Sequence, residues 1–254
     1  MNIINFSGGR TSAYMTKKLI DEGLTDYIIT FQNTGKEDPK TLEFVNECDK
    51  RWNLNIVWLE YRKPSVNKKR FEIVTFETAS RQGEPFAQLM QQRPNSGVPN
   101  REFRWCTQEL KIQTVRRYLK SIKLKDFTWI NGIRYDEPTR WQEESEYHYD
   151  IWQPLVKWKV TKPMILEWWK HQDFDLQISQ AYGNCDCCFQ KGKGLLAQIA
   201  KEKPELFNWW IDFEKQRNQT FKKEISYDKL VREAPLQFDL WANDKSFECF
   251  CRQD

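Results

Sequence analysis

Asn5-Phe6-Ser7-Gly8-Gly9-Arg10-Thr11-Ser12 is the stretch that decides the fold. A short apolar strand, Asn2 to Phe6, runs into it, and a helix pattern from Thr11 to Asp21, closed by Gly23, runs out of it. A strand that turns through paired glycines into a helix is a phosphate-binding arrangement. Glycine lets the backbone turn sharply and bring its N–H groups against an anion, the helix N-terminus adds its dipole, and the serine hydroxyls add donors. An ordinary βα turn with a serine cap can be written with the same residues. The position at the first βα junction, with further βα units behind it, favours phosphate binding.

Those units follow at once. Tyr27 to Phe31 is β-branched and aromatic, a buried strand; Pro39 opens a helix to about Trp52; Asn55 to Leu59 is a third strand. A βαβαβ order predicts a parallel sheet with right-handed crossovers. From Tyr61 to Arg101 the pattern loosens. The run Lys68-Lys69-Arg70 and the stretch Arg93-Pro94-Asn95-Ser96-Gly97-Val98-Pro99-Asn100 predict a long loop or lid. Beyond it lie a helix at Gln108 to Leu119, a strand at Phe127 to Asn131, and helices at Thr161 to Gln172 and Leu195 to Gln216. The expected class is α/β: an open, mostly parallel twisted sheet flanked by helices, with a helical C-terminal extension. Residues 1–150 form the nucleotide-binding core in this reading, and residues 151–254 a mainly helical region packed on it.

Composition narrows the setting. Aromatics make up 15% of the 254 residues, with 12 Trp, too many for a disordered chain. No apolar run approaches the roughly 20 residues of a bilayer span. The N-terminus lacks a basic region followed by a long apolar stretch. A cytoplasmic protein without a membrane partner is expected. The formal charge of +4 permits nucleic-acid binding without demanding it. Seven cysteines in that setting point to metal ligation or redox chemistry rather than disulfides. Gly183-Asn184-Cys185-Asp186-Cys187-Cys188-Phe189 holds a Cys-x-x-Cys with a further cysteine inside, a turn that can aim two thiolates at one metal. A zinc ion in a Cys₃ or Cys₄ site and unligated thiols stay open as readings of it. His148 and His171 have no evident partner.

The loop is neither a Walker A motif, which ends in Gly-Lys-Ser/Thr, nor a dinucleotide fingerprint. It resembles the PP-loop of the N-type ATP pyrophosphatases, Ser-Gly-Gly-x-x-Ser, although Arg10-Thr11 stand where many members carry Lys-Asp. Three more segments carry a resemblance to proteins similar to phosphoadenosine phosphosulfate (PAPS) reductases within that superfamily. Asn33-Thr34-Gly35, with Thr41 and Phe44-Val45 downstream, is similar to their Asp-Thr-Gly…Glu-Thr…Phe-Val. Arg104-Trp105-Cys106-Thr107-Gln108-Glu109-Leu110-Lys111 is similar to Arg-x-Cys-x-x-x-Leu-Lys. Gly132-Ile133-Arg134-Tyr135-Asp136-Glu137-Pro138-Thr139-Arg140 is similar to Gly-x-Arg-x-x-Glu/Gln-Ser-x-Arg, with Pro138 in place of Ser.

The resemblance implies that Ser7, Gly8, Gly9, Arg10, Thr11, Ser12, Asn33, Thr34, Gly35, Lys111 and Gly132 bind the phosphates of an adenine nucleotide, ATP with Mg²⁺. It implies that Arg134 and Arg140 act on the reacting oxyanion, since guanidinium grips such oxygens in pairs. Relatives that keep the full loop cleave ATP, so the implied reaction is adenylation of a substrate with release of pyrophosphate, serving sulfur transfer from a sulfur donor, with a nucleic acid among the acceptors. Carried over by position, Cys106, Cys185 and Cys188 are implied ligands of a [4Fe–4S] cluster, with the fourth position taken by Cys187, Cys249 or Cys251 or left open on one iron to bind sulfur. Glu248-Cys249 is similar to the Glu-Cys-Gly tail of the reductases, but Phe250-Cys251 replaces the rest. A sulfonucleotide reductase using Cys249 and a thioredoxin-like reductant is therefore the alternative. A third reading is a non-catalytic nucleotide- or nucleic-acid-binding module, with Trp168-Trp169 and Trp209-Trp210 stacking bases.

Overall fold

The computed structural model describes residues 1–142, 150–179, 182–183 and 185–241, with side chains through position 234. Its centre is a six-stranded sheet made by β1 (Asn2–Asn5), β2 (Tyr27–Asn33), β3 (Val57–Tyr61), β4 (Phe71–Val74), β5 (Thr128–Ile130) and β6 (Asp150–Trp152), in the order β4-β3-β2-β1-β5-β6. All neighbours are parallel except β3 and β4. Inner strands of such a sheet are covered on both faces, which is why they read as continuous apolar runs rather than alternating ones. Ile3 and Ile4 are both fully buried, yet they enter different cores, and Leu59 beside Trp58 and Trp129 beside Ile130 divide in the same way.

One face is covered by α1 (Arg10–Asp21), α2 (Pro39–Trp52) and α6 (Lys162–Lys170), which bury Met15, Leu42, Val45, Ile165 and Trp169 with Ile4 and Phe31. The other is covered by α4 (Gln113–Ser121) through Val115, Tyr118 and Leu119. A third core belongs to α3 (Glu84–Gln92), α7 (Lys193–Glu202), α8 (Asn208–Arg217) and α9 (Tyr227–Trp241), around Phe86, Leu196, Trp210 and Phe221. A four-residue helix, α5 (Pro154–Lys157), links β6 to α6. No helix among the described residues is long and apolar enough to cross a membrane.

Three expectations are corrected. Residues 61–101 are not one long loop: they hold β4, which pairs antiparallel with β3, and α3, whose Phe86, Leu89 and Met90 are buried. Pro85 stands in the first turn of α3, where proline is well placed. The helix expected from Leu195 to Gln216 is broken, because Pro204 keeps Lys203 out of the helical region (φ −144°, ψ 64°) and a short 3₁₀ turn, Pro204–Phe207, separates α7 from α8. The helix expected from Gln108 begins instead as a π-helical turn, Thr107–Ile112.

Candidate active site

The crevice opens where the strand order reverses. The chain leaves β1 toward β2 on one side, while β5 stands on the other. Ligands of open α/β sheets bind at this place, outside the carboxyl ends of the strands. A cavity of about 500 Å³ lies there, within the size range of small-molecule sites. Its floor is the Ser7–Ser12 loop and the Asn131–Arg134 strand exit, and its walls come from Thr107 and Lys111 of the π-helical turn and from α6.

The two loop glycines have different jobs. Gly8 has φ +80°, and a Cβ there would stand 2.7 Å from Thr41 Cγ2 and 3.1 Å from the Phe31 ring. Only glycine fits. Gly9 is extended, and a Cβ on it would meet nothing within 4 Å, because it faces the cavity. Gly132 lets the β5 exit pass close to the loop, since its Cβ would be 3.4 Å from Ser12 Cα. Asn5 donates to Asn131 Oδ1 at 2.8 Å and ties the two strand ends together.

The serine hydroxyls turn inward. Ser12 Oγ accepts from the Ser7 N–H and the Ser7 hydroxyl, both at 3.1 Å, and donates to the Gly9 carbonyl at 3.0 Å. Both hydroxyl protons are thus used within the loop. The donors left for a ligand are the backbone N–H groups of the first turn of α1, which has no side-chain cap. Thr11 lines the cavity beside them.

Among the described residues the wall carries five cations, Arg10, Lys111, Arg134, Arg140 and Lys162, against one carboxylate, Glu137. Arg10 is engaged elsewhere: it grips both oxygens of Asp175 at 2.6 and 2.8 Å and fastens the loop to the segment after α6. Glu137 holds both of the other arginines, Arg140 at 2.5 Å and Arg134 at 3.4 Å, while Arg134 also reaches Asp136 at 2.9 Å. Burial, reinforced by the Arg134 charge, lowers the pKa of Lys162. An excess of partly desolvated positive charge beside uncapped helix N–H groups is a receptor for a polyanion.

Asn33, Thr34 and Gly35 do not line this cavity. Asn33 bonds Glu60 at 2.5 Å and the Ser80 carbonyl at 2.8 Å, and its Oδ1 receives the Gly35 N–H. The Thr34 N–H and hydroxyl both donate to Glu37. Gln32, Asn5, Asn131, Thr107 and Lys162 do line it, and the sequence reading missed them. The polar ends of otherwise apolar strands were the available signal for Asn5, Gln32 and Asn131; Thr107 and Lys162 gave none.

The cysteine turn lies next to Thr34. Cys185 Sγ is 3.4 Å from Thr34 Oγ1, and the Cys188 N–H closes the turn on the Cys185 carbonyl at 3.3 Å. Buried charges hold the turn: Lys191 Nζ donates to the Cys185 and Asp186 carbonyls, and the Asp186 carboxylate takes Lys36 at 2.9 Å and the Trp210 indole at 2.8 Å. Burial, then the nearby Glu37 and Cys188, pushes the Cys185 thiol well above its ordinary value, and burial does the same for Cys187. Cys187 sits wholly inside the helical core, and Cys106 packs half-buried against that core. Among the described residues no three Cys, His, Asp or Glu side chains converge as a metal-ligand set. The described side chains alone therefore do not fit a [4Fe–4S] cluster or a structural zinc. Cys249 and Cys251 lie outside the described residues, as does His148.

The match to known proteins covers the sheet and most of the cavity lining, and ends before the cysteine turn. Residues 1–177 match the phosphoadenosine phosphosulfate reductase domain, through all the strands and the cavity floor. The chain belongs to that family. Its superfamily is that of the PP-loop, adenine nucleotide alpha hydrolase-like proteins, so membership implies binding of an adenine nucleotide such as ATP or PAPS. An uncharacterized nin-region protein of Escherichia phage lambda is 31% identical over 216 residues, 81% of this chain and 71% of the phage protein. Two uncharacterized proteins of Methanocaldococcus jannaschii are 26% and 20% identical, each over 82% of this chain but only 46% and 40% of their own lengths.

Proposed function

We propose that the chain binds ATP in this cavity and adenylates an acceptor, releasing pyrophosphate, as a step toward sulfur transfer. The observation that carries the reading is the uncapped first turn of α1 facing a cavity that, among the described residues, is lined by five cations and one carboxylate. In this reading the β- and γ-phosphates lie against the backbone N–H groups of Gly9 to Ser12. An acceptor oxygen or nitrogen attacks the α-phosphorus, the bond from that phosphorus to the bridging oxygen breaks, and pyrophosphate leaves with the electron pair. Lys111, Arg134, Arg140 and Lys162 line the space where that negative charge grows, and a preset cationic wall favours it. Mg²⁺ neutralises part of the leaving group when bound. Among the described residues Glu137 is the one carboxylate on the wall that could help hold the ion, and it is paired with Arg134 and Arg140.

The sulfonucleotide reductase is the second reading, and the description of the matched family favours it. It needs the Cys249 thiol to take the sulfonate from the nucleotide and a thioredoxin-like dithiol to release sulfite. The stacking module draws less support: Trp169 and Trp210 are buried, and Trp168 and Trp209 pack edge-on against their neighbours. Supplying the protein with ATP and candidate sulfur acceptors, nucleic acid included, and in parallel with PAPS and reduced thioredoxin, tests the choice. Acceptor-dependent pyrophosphate release supports the first reading. Sulfite from PAPS, abolished by Cys249→Ser, replaces it with the second.

A further inference from the structure

Behind the π-helical turn that supplies Lys111 to the cavity, three arginines converge on one glutamate. Arg117 Nη2 is 2.7 Å, Arg93 Nη2 3.2 Å and Arg70 Nη2 3.4 Å from Glu109. Glu109 and Lys111 are two positions apart on one helical turn and so project to opposite sides, and none of the four cluster residues lines the nucleotide cavity. Among the described residues one carboxylate, Glu109, pairs with these three arginines, which leaves two of the three positive charges unbalanced.

The second observation is a set of buried donors that find no acceptor among the described residues. Arg70 Nε, Arg117 Nη1, the Trp105 indole N–H and the Tyr61 hydroxyl are all buried and unbonded. They belong together: both Arg70 and Arg117 lie 5.9 Å from the Tyr61 ring centre, and Arg93 lies 5.6 Å from that of Trp105. Tyr61 is fully buried, so its hydroxyl has no route to bulk water. Arg70 and Arg93 are about one-third exposed, 35% and 36%, which leaves a way in. Buried polar groups in folded proteins are normally satisfied. Four donors and a net double positive charge call for a compact acceptor carrying two negative charges.

We propose that Tyr61, Arg70, Arg93, Trp105 and Arg117 form a second anion site, separate from the nucleotide cavity, that takes a tetrahedral oxyanion of the phosphate or sulfate type. The oxyanion shares the three guanidinium groups with Glu109 and accepts from the Tyr61 hydroxyl. Its position anchors the turn whose other side presents Lys111 to the nucleotide.

Thermal unfolding of the full chain in inorganic phosphate, against chloride at equal ionic strength, tests this, with sulfate and glycerol 3-phosphate as parallel arms. Phosphate is expected to raise the melting temperature saturably. The relative affinity of the ester names the source, a free ion or a phosphate monoester. Arg117→Gln weakens phosphate binding by roughly 10- to 100-fold, as for a hydrogen bond to a charged group. Tyr61→Phe keeps the packing and removes only the hydroxyl, so it gives a crossed result. Without phosphate it is as stable as the parent or more so, and with phosphate it is less stable, its affinity lowered roughly five- to tenfold. A Tyr61→Phe protein that is destabilised equally in both buffers means that water satisfies the hydroxyl, and the proposal falls. It falls also if phosphate gives no shift, or if the shift disappears in Gly9→Ala, which places the phosphate in the nucleotide cavity.

Discussion

Gly8 and Gly9 are neighbours, yet the structure gives the same substitution opposite outcomes at the two. At Gly8 a methyl group enters a left-handed backbone, which costs roughly 1–2 kcal/mol. It also meets Thr41 Cγ2 at 2.7 Å and the Phe31 ring at 3.1 Å. Both belong to buried elements, α2 and β2, and overpacking of that kind costs roughly 1–3 kcal/mol. Gly8→Ala is therefore expected to lose about 2–5 kcal/mol, a fall in melting temperature of roughly 5–20 °C for a chain of this size. At Gly9 the backbone suits alanine and the methyl meets nothing, so stability stays within about 1 kcal/mol of the parent. That methyl fills the space assigned to phosphate. Losing one charge-assisted backbone hydrogen bond, worth roughly 1.5–3 kcal/mol, lowers ATP affinity about 10- to 100-fold. Calorimetric melting and isothermal titration of both variants measure the two effects. A Gly9→Ala protein that binds ATP like the parent refutes the placement of the phosphates, and a Gly8→Ala protein as stable as the parent refutes the packing argument.

Other expectations follow from the same geometry. Ser12→Ala strands the Ser7 N–H, while the Gly9 carbonyl keeps the Ala13 N–H, and should weaken ATP binding more than Ser7→Ala does, by about 1–2 kcal/mol in titration. Asp186→Ala leaves the buried Lys36 without its anion and should cost about 3–5 kcal/mol in chemical denaturation. Glu109 is raised by burial, but Arg117 and Arg70, with Arg93, outweigh that and hold it below the usual glutamate value. Its contribution is complete above the unfolded value near 4.3 and disappears as pH falls through the folded value. Glu109→Gln in phosphate-free buffer should therefore cost about 1–3 kcal/mol at neutral pH, with the gap to the parent closing below about pH 4 in urea titrations.

The βα order was readable because the deciding residues act locally. Ile3-Ile4 and the β-branched run of β2 can only be buried strands, and Gly8-Gly9 announces the turn after β1. What escaped depended on tertiary partners. β4 reads as loop because only Phe71 and Val74 face inward and Arg62 to Arg70 closes the hairpin. The inward turn of the Ser7 and Ser12 hydroxyls depends on the loop's own carbonyl and amide positions, which no residue pattern displays. Asn33-Thr34-Gly35 matched a family segment, but their bonds go to Glu60, Ser80 and Glu37, which were unremarkable in the sequence. Trp210 was legible as aromatic mass, but its hydrogen bond to Asp186 was not.

The central claim is that an adenine nucleotide lies in the β1–β5 crevice with its terminal phosphates on the first turn of α1. A crystal structure of the protein with a non-hydrolysable ATP analogue tests it most directly. The expected result is density for the β- and γ-phosphates within hydrogen-bonding distance of the backbone nitrogens of Gly9, Arg10 and Thr11, with Lys111 and Arg134 turned toward them. A nucleotide bound elsewhere, or one whose base rather than its phosphates occupies the loop, contradicts it.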